Sequence, residues 1–360
     1  MTETETDYRT DGGTAEEEIF GTGEEIEAAS ITLRERANRF LDIYILTPIR
    51  IAWDDWRTRI GGLGLLFYIL MGTVGVMIVP EPTLNEGPAV MGAFVDWSIP
   101  MGTDDVGRSI GKKIVHATPA MLKMATAGAL TTMIAGIFFG FVGGYKGGIV
   151  DRILMTITDI QAVLPGLPLI ILIAAVYPPK DPFIVGVILA IDTWPGLARA
   201  LRSQVLTLRE EEYVEAGRSL GLSSATIIKQ DLLPQLAPYI LINAAGAATR
   251  VIKTSVALYF LAVLPFSILN WGVMMNNAYQ QGNAISRPGY AGHWLFFPTV
   301  ALAGLLFSLV LFSQGLDRVF NPRLRARHAE TTPDEPGEPG TGTVVGSGGG
   351  AEGDGEGDEL

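Results

Sequence analysis

Four ionisable residues stand inside long apolar stretches of the chain: Asp159, Asp192, Arg250 and Lys253. A charge in the apolar interior of a bilayer is costly and is kept where it pairs, or where it faces a route taken by polar solutes. Arg250 and Lys253 are three apart and share a helix face, so they would favour an anionic group such as a carboxylate, or pair with acids of another chain. Asp159 and Asp192 each precede a proline, Pro165 and Pro195. Each is therefore a candidate for capping a broken helix as well as for lining a passage. Bond-making chemistry finds no apparatus. There is no cysteine, hence no disulfide, thiolate metal site or cysteine nucleophile. His116, His293 and His328 lack ligand spacing, and no HExxH, phosphate-binding glycine loop or nucleophile elbow is recognised. The reading is of a non-enzyme that binds no metal or cofactor itself.

The elements that hold these residues are long and apolar. The 360 residues are 48% hydrophobic, with 43 Gly and 21 Pro, which suits a polytopic membrane protein. The formal charge of −12 belongs to two tails. Residues 1–30 hold ten acids and Arg9, and residues 329–360 hold nine acids and no Lys or Arg, so the body between them is mildly cationic. Tails of this composition are expected to be disordered, at 1–30 and 326–360, and with Arg well above Lys they suggest a salty cytoplasm. The N-terminus shows no signal-peptide pattern. Residues 31–59 alternate basic and apolar positions, an amphipathic lead-in along a membrane surface. Nothing suggests nucleic-acid binding.

Six spans are expected, at 60–79, 121–142, 153–176, 183–201, 236–264 and 294–316, within a folded region 60–325. Prolines interrupt the third and fourth. Six spans put both termini on one side. Seventeen Lys and Arg then fall on the side of the 207–234 connection against five on the other, a positive-inside bias that makes both termini cytoplasmic in a multi-pass plasma-membrane protein.

Residues 207–234, TLREEEYVEAGRSLGLSSATIIKQDLLP, are polar between those spans. They read as two short helices. Thr207 and Glu210 have capping-box spacing, and Tyr213, Ala216, Gly217 and Leu220 fall on one face. Gly221 is placed for a left-handed helix end, Ser223 for an N-cap with Leu222 and Ile227 as a staple, and Pro234 for a stop.

Glu215-Ala216-Gly217, then Gly221, then Leu233-Pro234, resembles the EAA loop of ABC-importer permeases, with Gly217 where alanine is usual. Gly102-Thr103-Asp104-Asp105-Val106-Gly107-Arg108 resembles the GTDxxGR segment of dipeptide and oligopeptide permeases, with Ser109 in place of an Asp that could have paired. Leu154-Met155 with Asp159 and Pro165, Trp271-Gly272, and Asn321-Pro322-Arg323-Leu324-Arg325 fit the same family, best the C-type permease of peptide and nickel importers. The resemblance implies an all-α integral membrane protein, six transmembrane helices of type I importer architecture, with a cytoplasmic coupling loop. It implies that Glu215, Ala216, Gly217, Leu220, Gly221, Leu222, Ser223 and Pro234 couple to an ATPase, Glu215 anchoring the loop. Asp159, Asp192, Arg250 and Lys253 are then candidates for the translocation path. The implied partners are a B-type permease, two cytoplasmic ATPase subunits that hold ATP and magnesium, an external solute-binding protein and the lipid bilayer. A permease for nickel or an oligosaccharide, and a membrane scaffold that has lost transport, are the alternatives.

Overall fold

The structure, a computed structural model, describes residues 55–266 and 269–320. The acidic tails, the lead-in up to residue 54 and the closing motif at 321–325 lie outside the described residues. Helix α1 (Trp56–Leu70) starts on Asp55, whose carboxylate accepts from Arg57 N–H at 2.8 Å. It continues through a π turn (Met71–Gly75) to Val76–Ile78. A compact connection leads to α2 (Ile110–Lys146), 37 residues capped by Ser109. Helices α3 (Gly148–Val163) and α4 (Gly166–Val176) meet at Pro165 with a bend of 86°, and α5 (Pro182–Leu189) and α6 (Trp194–Leu208) meet with a bend of 58°. A proline lacks the N–H that would continue each helix through the break. Then follow α7 (Glu212–Ser219), α8 (Ser224–Ile227), a second π turn (Ile228–Leu232), α9 (Leu233–Phe260), α10 (Trp271–Gln280) and α11 (Pro288–Phe320). Among the described residues there is no strand, and an isolated bridge joins Thr103 to Ser109.

Helix pairing rests on small residues that let backbones touch, as membrane helices require in place of a hydrophobic driving force. Along α2, Gly136, Gly140 and Gly144 recur every four residues and so face α6. A Cβ on Gly140 would lie 2.7 Å from the Ala198 carbonyl oxygen. Between α1 and α11 a Cβ on Gly61 would lie 2.4 Å from the Phe312 nitrogen, and Tyr68 donates its hydroxyl to Ala301 O at 2.8 Å. Helix α9 packs on both α2 and α11. Two apolar cores result. The larger joins α2, α5, α9, α10 and α11 around Trp271, Trp294 and Tyr259. The smaller joins the C-terminal half of α2 to α6, α7 and the start of α9 through Phe141, Tyr145, Leu201, Val205, Val214 and Ile227.

Among the described residues three helical stretches, Trp56–Ile78, Ile110–Lys146 and Pro288–Asp317, are long and apolar enough to cross a membrane, and up to five if each bent pair is one span. The fifth expected span, α9, is 28 residues long yet lies outside this set. Arg250 and Lys253, with Asn243, Thr249, Thr254 and Ser255, lower its hydropathy.

Candidate functional site

At the N-terminal end of α2, the 102–108 segment folds back under residues 85–91. Gly102 and Gly107 take φ of +75° and +73°, and a Cβ on either would come within 2.3 Å of a carbonyl oxygen, Met91 O or Gly87 O. Thr103 accepts from Met91 N–H at 2.9 Å and donates to Pro88 O. Asp104 is fully buried. Its carboxylate meets Arg108 Nε at 2.9 Å and Lys113 Nζ at 2.8 Å, and it accepts from the Val106 and Arg108 amides. Burial alone would raise this carboxyl, but Lys113 and Arg108 outweigh it and hold its pKa below the usual range. Arg108 thus pairs four residues back, while Ser109 caps α2 through Lys112 N–H.

About 55 Å away along α2 at 1.5 Å per residue, the 207–234 element sits on the other end of the same helix. Two sequence expectations are corrected there. Thr207 lies in the last turn of α6 and donates to Ser203 O. Helix α7 begins on Glu211, which makes no side-chain cap, so the Thr207–Glu210 box does not form. Nor does Pro234 stop a helix. It stands in the first turn of α9, reached without a break from α8 through the π turn, whose wider ring tolerates the missing N–H. The turn between α7 and α8 follows its spelling. Gly221 has φ +78°, Leu222 N–H reaches Gly217 O at 3.1 Å and Gly221 N–H reaches Arg218 O at 2.9 Å, a Schellman end. Ser223 accepts from Thr226 N–H at 3.2 Å.

The face expected to hold Tyr213, Ala216, Gly217 and Leu220 together divides. Val214 and Gly217 are buried against the body, where Leu222 and Ile227 flank Gly217. Tyr213, Ala216 and Leu220 are exposed, Leu220 by 81%. Among the described residues the Glu215 carboxylate has no hydrogen-bond or ion-pair partner. The element is anchored instead by Arg218, which sits 5.0 Å over the Tyr145 ring, and by Arg209, which donates to Gly144 O at 2.9 Å.

Between these ends a cavity of about 560 Å³ opens at the kink between α5 and α6, with Asp192, Thr132, Asn243 and Arg250 in its wall. Asp192 and Arg250 are brought together there, and neither has an ion-pair partner among the described residues. Asp192 rests against Gly166 at the first turn of α4, where the helix dipole favours a negative charge. Lys253 is exposed one turn further along α9 and does not line this cavity. Asp159 faces a second cavity and pairs with Arg199 at 3.6 Å. Arg199 lines both cavities. Beside it Arg202 grips Asp151 with two bonds of 2.5 Å.

Residues 133–326 match the family of binding-protein-dependent transport system inner membrane components. The chain belongs to this family. Among its relatives, the dipeptide transport system permease protein DppC of Bacillus subtilis (strain 168) is 28% identical over 81% of this chain and 92% of its own length. The oligopeptide transport system permease protein OppC of the same organism is 29% identical over 62% of this chain and 72% of its own. The glutathione transport system permease protein GsiD of Pectobacterium atrosepticum is 30% identical over 68% of this chain and 76% of its own.

The permease is therefore a multi-pass transport subunit and not an enzyme, and ATP hydrolysis belongs to a separate subunit of the importer. One pattern passed unnoticed in the sequence. Gly217, Ser219 and Gly221 spell Gly-x-Ser-x-Gly, but Ser219 ends a helix instead of standing on a strand-to-helix turn. His116 is bonded to Val79 O and His293 to Thr103 O at the other end of α2. Sequence reasoning also missed Tyr145, Arg209 and Arg218, which fasten the 207–234 element to α2, and Asp151 and Arg202, which fasten α3 to α6. Each pair is separated by 51 residues or more. The only local signal was the Gly136–Gly140–Gly144 stripe that brings their helices together.

Proposed function

We propose that this permease carries peptides, forming the translocation path with a second, B-type permease, and is driven by two ATPase subunits that dock on the 207–234 element. It has six spans, α9 counting as the fifth, and a cytoplasmic coupling element with cytoplasmic termini; an external binding protein delivers the solute. The relatives' names supply the substrate class. The observation that carries the mechanism is Leu220, 81% exposed at the tip of α7 while Val214 and Gly217 of the same helix are buried. Tyr213 and Leu222 of the same polar element are also exposed, by 40% and 45%, and several apolar side chains presented together mark an interaction surface where a single one would not. Glu215 and Ala216 are exposed beside it and would meet the ATPase directly.

Both walls of the Asp192–Arg250 cavity hang from this element. Helix α6 runs into α7, and α8 runs unbroken into α9. A push on α7 would move the helix that follows Asp192 and the helix that bears Arg250, a rigid-body route from ATPase closure to the cavity. The 207–234 element is tested by pull-down from gently solubilised membranes, the native chain beside a Glu215→Lys, Gly221→Val double variant. An ATPase and a second permease recovered with the native chain, and the ATPase lost from the variant, support the reading. Native chain that recovers no ATPase overturns it and leaves the scaffold alternative.

A further inference from the structure

From Pro80 to Ser109 the chain builds a cap over the N-terminal end of α2, fastened by Asp104 to Lys113 and by Glu86 to Lys112 at 3.1 Å. One tip of the cap leaves this packing. Phe94, Val95 and Trp97 are 61%, 72% and 80% exposed. The tip is a built shape. Phe94 has φ +60°, which bulky residues rarely adopt, and its N–H is held by Pro100 O at 2.9 Å. The Asp96 carboxylate closes the turn by accepting from Ser98 N–H at 2.8 Å.

Two ring contacts say what the tip faces. Phe94 lies 6.0 Å from Trp97 and 6.4 Å from Phe297 of α11. The apolar run of α11 begins at Trp294, and about 20 residues from there would cover the ~30 Å hydrocarbon thickness. Phe297 then stands one turn inside that edge, and Phe296 and Val300, 60% and 50% exposed, continue the same outward surface. The tip is therefore continuous with a lipid-facing helix surface at the depth where tryptophan partitions best. The tip, residues 92–100, holds Asp96 and no Lys, Arg or His, so headgroup charge supplies no attraction there.

We propose that Phe94, Val95 and Trp97 form an aromatic interfacial anchor, inserted among the lipid headgroups of the leaflet at the N-terminal ends of α2 and α11. The anchor ties the cap to the membrane and does so independently of lipid charge.

Because the chain has no cysteine, a nitroxide can be placed singly by Trp97→Cys or Val95→Cys. Val300→Cys on α11 serves as the lipid reference and Lys180→Cys, an exposed charged site between α4 and α5, as the water reference. In vesicles of the full chain, the ratio of oxygen to nickel-chelate collision rates at 95 and 97 is expected to exceed that at 180 several-fold. It should be unchanged between neutral vesicles and vesicles with anionic lipid. A ratio equal to that at 180 would overturn the proposal. So would protection from both reagents, which would place a protein surface there, or a ratio that rises only with anionic lipid.

Discussion

The Arg218 guanidinium lies 5.0 Å over the ring of Tyr145 with its Nε 3.3 Å from the phenol oxygen, which joins the proposed docking helix to the last turn of α2. The contact is half open to solvent and is worth about 1 kcal/mol, a small share of stability. Its consequence is positional. Arg218→Ala is expected to leave the amount of protein in the membrane unchanged and to lower transport-coupled ATPase activity about fivefold. Tyr145→Phe keeps the ring and should retain most of the activity. Equal losses in the two variants would assign the effect to the hydroxyl instead of the ring face.

Asp151 and Arg202 make the other fastening, a two-bond grip between the first turn of α3 and the middle of α6. Bidentate charge-assisted pairs are strong, and this one is partly shielded, Asp151 being 15% exposed. Asp151→Asn and Arg202→Gln are each expected to lower unfolding stability in detergent by about 1–2 kcal/mol. The double variant should lose less than the sum, a coupling read from a double-mutant cycle. Additive losses would mean the two side chains act independently.

Legibility followed locality. The Gly221 turn, the Ser223 cap and the breaks at Pro165 and Pro195 depend on residues within one or two turns, and their types and order spell them. The glycine stripe on α2 was visible as composition, but its partner was not, because helix pairing depends on contacts such as Gly140 with Ala198. The Thr207 box failed for the same reason. Its spacing is correct, but α6 packs on α2 and extends through Leu208, taking the position the cap needed. At Pro234 a local stop signal lost to a π turn supported by burial of Leu232 and Leu236. For the four charges in the apolar stretches, the pairing of Asp159 with Arg199 and the shared cavity wall of Asp192 and Arg250 needed the fold.

Asp104 gives the cap a dependence on acidity. Burial pushes its carboxyl up, but Lys113 and Arg108 pull it further down, so the folded pKa lies below the unfolded value. A depressed carboxyl stabilises the fold at pH above the unfolded value of about 3.9 and loses that contribution as pH falls through the folded one. Glu86 is lowered too: burial raises it, and Thr83 and Lys112 outweigh this, so it adds in the same direction. The native permease is expected to lose thermal stability below about pH 4 more steeply than Asp104→Asn. At neutral pH that variant should be about 3–5 kcal/mol less stable, because Lys113 is left buried without its counter-ion. Parallel pH profiles for the two proteins would remove Asp104 from the account.

The Asp192–Arg250 cavity makes the sharpest statement about solute. Its two charges are opposite, they lack ion-pair partners among the described residues, and the wall between them is polar through Thr132 and Asn243. A peptide with free ends carries both complementary charges. In the assembled importer, Arg250→Gln is expected to slow uptake of free peptides about fivefold, the effect of about 1 kcal/mol in an open, hydrated site. Uptake of C-terminally amidated peptides should change little. Asp192→Asn should do the same for peptides with a free amino end and spare N-acetylated ones. Lys253 lies outside the cavity wall, so Lys253→Gln should be the weaker of the two α9 substitutions, although the sequence ranks them equally. Uptake rates measured with saturating binding protein keep its own preferences out of the comparison. If Arg250→Gln and Lys253→Gln together left both rate and peptide preference unchanged, these cations would belong to the contact with the partner permease and not to the path.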